Sequence, residues 1–235
     1  MRAVVRMQPR GSGAARALAV AREPLSSSIA VIVAEDSALT DERWGADFDA
    51  DRLAILELRM WKAYYRRQPA RLFGNLVLGL REQAGASWPR ALVAALWLTK
   101  AAVGFARSSG DYERFAPDIA RGYRTIGLPQ RVDVDAVARE ELRWWVLRRE
   151  IGLAAGAEAG VTIARLYAAF YRVAEERVAE AGRLRGLAAE VRDRGASADP
   201  DGPGGAGTAN SPEVGRLLVR SYGSLAEAVG PGTAP

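Results

Sequence analysis

The sequence predicts an all-α fold: a single bundle of about seven to eight mostly antiparallel helices behind a disordered N-terminal leader. Three observations carry this expectation. Apolar residues recur at helical spacing through most of residues 48–230, and strand-like alternation is scarce. Most links between the periodic segments are only a few residues long, which favours antiparallel neighbours. No repeat of fixed period marks a solenoid.

The elements follow in order. A first helix is expected from about Asp49 to Arg67, with Asp47 and Asp49 as candidate caps and Gln68-Pro69 as its stop. Leu53, Leu56, Met60, Trp61 and Tyr64 form its apolar stripe. Pro69 suits the first turn of a second helix, where its missing N–H costs nothing. Leu72, Phe73, Leu76, Val77 and Leu80 share the inner face of that helix, and Gly85 ends it. Ser87 is the expected cap of a third helix, about 88–108, which contains ALVAALWLTKAAVGFA. That run is apolar nearly all round and reads as the central buried helix. It is too short to span a bilayer, and Lys100 near its middle would be costly in lipid.

A fourth helix, about 111–126, keeps Tyr112, Phe115, Ile119, Tyr123 and Ile126 in one phase across Pro117, which predicts a kink rather than a break. The fifth, about 133–151, should be capped by Asp133 or Asp135. The sixth, about 156–173, buries Ile163, Leu166, Tyr167, Phe170 and Tyr171. The seventh, about 174–194, has a weaker stripe of Leu184, Leu187 and Val191, with Glu180 falling among them. Residues 195–211 form a Gly/Pro-rich loop, and Ser211-Pro212-Glu213 starts an eighth helix. Val214, Leu217, Leu218, Tyr222, Leu225 and Val229 need a core to pack on, so the loop returns the chain to the same domain. The expected organisation is a basic leader over 1–47, one bundle over 48–230 and a tail over 231–235.

Composition excludes much chemistry. The chain has no cysteine and no histidine. Disulfides, thiolate nucleophiles, zinc-thiolate sites, Ser-His-Asp triads and Glu-x-x-His di-iron sites are therefore impossible. Only Lys62 and Lys100 are lysines, and every other basic side chain is arginine. The net charge is +5. Residues 1–24 hold five arginines against Glu23 alone, so the folded part is close to neutral. Nucleic-acid contact is thus expected only through the leader and not through the bundle. The short apolar run Ile29-Ala-Val-Ile-Val-Ala34 cannot span a membrane, and a cytoplasmic location is expected.

Two motif-like stretches reduce to ordinary structure. Asp47-Phe-Asp-Ala-Asp51 starts like a calcium loop, but Arg52 stands where glycine is needed and Leu58 where glutamate is needed. The glycines over 202–207 follow no strand and lack a P-loop lysine.

Charges on apolar faces are the informative residues, because an unpaired buried charge costs several kcal/mol. Glu57 falls between Leu53 and Tyr64 on the helical wheel. Glu141 shares a face with Trp144, Trp145 and Arg148 in the stretch REELRWWVLRRE, whose Arg139, Arg143 and Glu150 make a separate solvated face. Lys100 sits in the most apolar helix. Glu57, Lys100, Glu141 and Arg148 are therefore the candidate interior polar site, and Trp61, Tyr64, Trp97, Trp144 and Trp145 its candidate aromatic lining. No metal site and no cofactor are expected, and no catalytic set assembles.

The first functional expectation is a non-catalytic helical bundle acting through protein–protein contacts, including a homodimer. The alternative is a small-molecule-binding bundle, or a His-free enzyme, with an interior polar site. Convergence of the four charges on a void between the first, third and fifth helices would favour the alternative.

Overall fold

The computed structural model describes residues 47–150, 156–198 and 212–230. All but the last residue of the expected 1–47 leader, most of the Gly/Pro-rich loop and the C-terminal tail lie outside the described residues. The described chain is helical, without strands: α1 Ala50–Tyr65, α2 Pro69–Ala84, α3 Trp88–Arg107, α4 Ala116–Ile126, α5 Val134–Glu150, α6 Gly156–Tyr171, α7 Glu175–Ala198 and α8 Pro212–Val229. No helix among the described residues is long and apolar enough to cross a membrane.

Local chemistry sets the ends. The Asp49 carboxylate accepts from the Arg52 N–H at 3.0 Å, and Asp133 accepts from the Ala136 N–H at 2.9 Å. Each satisfies an amide that the first turn leaves without a partner. Gly85 and Gly127 take the left-handed conformation that closes α2 and α4. Pro69, Pro89, Pro117 and Pro212 all sit in first turns. Ser87 occupies the cap position of α3, but its side chain makes no capping hydrogen bond.

Each helix packs on the next, and α8 returns to α1. The eight helices therefore close into a ring. This arrangement overturns three sequence expectations. First, α3 is not a central buried helix: Trp88, Leu92 and Leu96 are 53%, 45% and 60% exposed. In a ring every helix keeps an outer face in solvent, and the buried residues of α3 are Arg90, Ala91, Ala94, Ala95, Leu98, Ala101, Ala102 and Phe105. Second, Pro117 kinks nothing. A 3₁₀ turn over Tyr112–Phe115 precedes α4, and Pro117 lies in the first turn of the α-helix, where no N–H is needed. Third, Glu180 is not on the inner face of α7. It pairs with Arg183 in solvent, while Val178, Ala181, Leu184, Ala188 and Ala189 are buried. Helix α7 also runs on to Ala198, into the segment expected to be loop.

The reason α7 reads weakly is its packing partner. A Cβ placed on Gly182 would lie 2.7 Å from the Ala164 amide nitrogen, and one on Gly186 would lie 2.6 Å from that of Gly160. Helices α6 and α7 therefore touch backbone to backbone, which small residues permit and an apolar stripe would prevent. We expect Gly186→Ala to lower stability by about 1–3 kcal/mol, because the obstructing atoms are backbone and cannot swing aside. Gly74→Ala, where a Cβ meets nothing within 4 Å, should instead add up to about 1 kcal/mol. Urea unfolding of both variants checks the contrast; equal effects would reject the close-contact account.

Candidate functional site

The ring encloses a cavity of about 630 Å³, and all eight helices supply its wall. Leu72, Leu76 and Leu80 of α2 face Leu98 and Ala102 of α3 to make the apolar side. Trp61, Tyr64 and Tyr65 of α1 and Trp144 and Trp145 of α5 make the aromatic side. Arg67, Ala106 and Arg149 line the cavity and are also exposed, which places its opening beside them.

At the inner end lies Glu57, only 1% exposed. Arg185 of α7 donates to its Oε1 from Nε at 2.7 Å, with Nη2 at 2.6 Å from the same oxygen. The Tyr222 hydroxyl of α8 donates to the other oxygen, Oε2. Burial opposes the charge of Arg185, but Glu57, together with Tyr167, Tyr222 and Glu141, outweighs it and holds the pKa well above the ordinary value. Burial, then Glu57, pushes the Tyr222 hydroxyl well up, so it stays protonated and donating. The Tyr167 hydroxyl, also buried here, is pushed up to about 12. Arg185 lies over the Trp144 ring at 5.1 Å and the Tyr167 ring at 5.6 Å. Such stacking stabilises a guanidinium already stripped of water.

Glu141 has a different environment. It forms no direct ion pair among the described residues. Its oxygens accept from neutral donors: the Tyr123 hydroxyl at 3.1 Å, Trp145 Nε1 at 2.9 Å and Trp144 Nε1 at 3.4 Å. Burial raises its pKa; Arg185 nearby and these hydrogen bonds pull the other way without cancelling the rise. A carboxyl in this setting can keep a proton that an exposed one releases, and can exchange it with a bound group.

Near the opening, Asp193 of α7 accepts from two guanidiniums. Arg148 Nη2 lies 2.8 Å from both of its oxygens, and Arg192 Nη1 lies 2.6 Å from Oδ1. Arg148 is held among Trp61, Tyr65 and Trp144, with centroids at 5.4, 5.8 and 5.3 Å. Arg149 donates to the carbonyls of Phe105 and Ser108 at 2.6 and 2.7 Å.

The structure brings together three of the four charges that the sequence singled out, Glu57, Glu141 and Arg148, on one cavity. Lys100 is a correction. It is on the outside of α3 with its side chain 60% exposed, 2.8 Å from Asp118. Of the aromatics, Trp61, Tyr64, Trp144 and Trp145 line the cavity, while Trp97 is outside it beside Lys100 and Arg121. An all-round apolar helix gives no indication of which face turns in, so both residues were assigned inward wrongly. Sequence reasoning missed Arg185, Arg149, Asp193 and Tyr222. Arg185 did leave a signal: its neighbours at three and four positions on either side are Ala181, Gly182, Ala188 and Ala189, a buried face around a charge. Among the described residues no group of three or more acids is placed to hold a metal ion.

The raised pKa of Glu141 fixes a pH dependence. Its contribution to stability is greatest below its ordinary value near 4.5 and is lost as pH rises through the folded-state value. In Glu141→Gln the amide oxygen can still accept from both tryptophans and its NH₂ can donate to Tyr123. The advantage of the native chain over this variant should therefore shrink between about pH 4 and pH 7. Chemical denaturation at both pH values measures it; a growing advantage would contradict the assigned environment.

No family model matches this chain, and no curated protein and no solved structure matches it significantly.

Proposed function

We propose that this chain binds a small organic molecule inside its helical ring. The carrying observation is the cavity of about 630 Å³, which combines an open apolar wall with charged groups fixed in place by one another. Ligand sites have this size range, about 300–1,000 Å³, and this make-up of apolar lining with a few oriented polar groups. A void of such size also lowers stability, because its lining lacks packing partners. A ligand would restore those contacts. Glu57, Arg185 and Tyr222 support the reading because they hold one another in place, which fixes the inner wall of the pocket. Trp61, Trp144 and Trp145 would report occupancy directly.

The neutral dye phenylnaphthylamine is the probe. We expect it to bind with blue-shifted emission and to quench the tryptophans. Ala102→Phe, which grows into the cavity from α3, should keep the helical signal yet weaken dye binding at least about tenfold. Absence of binding to the native chain, or equal binding by the variant, would reject the reading.

A second reading, contact with another copy of the chain, is favoured by one observation. Trp88, Leu92 and Leu96 form an exposed apolar row along α3 at a spacing of four residues. On that reading light scattering gives a dimer, and Leu96→Glu shifts it to monomer. A native chain that is monomeric at every concentration would exclude it.

A further inference from the structure

The charges around the cavity are not evenly spread, and this points to the chemistry of the ligand. Among the described residues, five guanidiniums and three carboxylates line it, Arg67, Arg148, Arg149, Arg185 and Arg192 against Glu57, Glu141 and Asp193. The inner end is balanced or slightly negative, because Arg185 is committed to Glu57 and Glu141 has only neutral donors. The end near the opening holds the other four arginines with Asp193 alone among the lining acids. Asp193 is shared between Arg148 and Arg192. Arg149 is satisfied by two backbone carbonyls, which accept its hydrogen bonds but carry no full charge. Carbonyl ends of helices contribute roughly half a negative charge each, so they offset this excess in part. The Nε of Arg148, shielded from solvent, has no hydrogen-bond partner among the described residues.

Near the opening a cationic ligand would meet four guanidiniums against one carboxylate. Several of the lining aromatic faces are already met by the chain's own guanidiniums: Arg148 is over Trp61 and Trp144, Arg185 over Trp144 and Tyr167, and Arg192 over Tyr65. What remains open is the apolar wall of Leu72, Leu76 and Leu80 with Leu98 and Ala102, ending at an opening flanked by Arg67 and Arg149. Leu72 and Leu80 are eight residues apart on α2, so that wall extends about 12 Å inward.

We infer that the ligand is an amphiphilic anion, a carboxylate or phosphate on an apolar body, with its head group at Arg67 and Arg149 and its body along the α2–α3 wall. The inference rests on the cavity being a ligand site. It adds the sign of the charge, the position of the head group and the nature of the body.

Displacement of phenylnaphthylamine from the full-length chain tests it with four probes of one chain length: decanoate, decyl phosphate, decanol and decyltrimethylammonium. We expect the two anions to displace the dye at least about tenfold more tightly than decanol, as a charge-assisted hydrogen bond allows, with the ammonium weakest. Which anion is tighter distinguishes a carboxylic acid from a phosphate ester. Arg149→Gln should reduce the preference for anions over decanol while leaving the affinity for decanol unchanged. Because Arg149 also binds the end of α3, Arg67→Gln, at an exposed position, serves as the second variant and should do the same. Equal displacement by decanol and decanoate overturns the anion while leaving the cavity as a ligand site. So does a preference that neither variant changes. Tightest binding by the ammonium compound reverses the assignment. If neither the dye nor any probe binds, the ligand-site reading fails together with the inference.

Discussion

A ring of helices has a centre that no backbone reaches. Each helix is about 10 Å across with its side chains, and eight of them cannot all press on one axis. Either long side chains cross the middle or the middle stays open. Both occur here. On the α6–α7 side, glycines let two backbones touch, and the ring tightens. Elsewhere Trp61, Tyr65, Trp144, Tyr167, Arg148, Arg185 and Arg192 extend inward, and about 630 Å³ still remains. The unusual residue types on the inner faces follow from that distance, since leucine and valine are too short to meet across it.

Reaching inward with arginine brings charge into a region with little water. The chain meets this in two ways. Glu57 and Asp193 take guanidiniums directly, and tyrosine and tryptophan rings cover the exposed faces of those cations. Removing one member of such a buried pair typically costs about 3–5 kcal/mol, far more than the pair adds over an apolar replacement. The pairs are therefore better understood as fixing the position of each group than as a source of net stability. Glu141 is treated otherwise: three neutral donors hold it, and it is left able to bind a proton. The result is a cavity whose inner end is hydrogen-bonded and whose opening is positive.

Much of the helix plan was legible in the chain. Caps such as Asp49 and Asp133, the first-turn prolines Pro69 and Pro212 and the terminal Gly85 act within a few residues, so their positions transfer directly from sequence to structure. The stripe of α1 and the inner face of α5 were also legible, because exposed charges such as Arg52 and Arg59, or Arg139, Arg143 and Glu150, mark the outer side of each. Helices α3 and α7 were not. The first is apolar on every side, so periodicity gives no orientation, and it was assigned to the centre when its Leu92 and Leu96 face solvent. The second buries small residues and two arginines, a pattern that hydrophobicity ranks as exposed. The errors at Lys100 and Trp97 follow from the first case, and the omission of Arg185 and Asp193 from the second.

By itself, the sequence determined that this chain is helical, which segments are helices, that cysteine and histidine chemistry is absent, and that Glu57, Glu141 and Arg148 must find interior partners. Those conclusions depend on short-range geometry and on the cost of burying a lone charge, neither of which needs to know the fold. Only the tertiary structure decided what the partners are. Glu57 and Arg185 are separated by 128 positions in the chain and Arg148 and Asp193 by 45. Pairing at such separations depends on how the ring closes, and on the glycine contacts between α6 and α7 that set where the arginines of α7 enter the cavity.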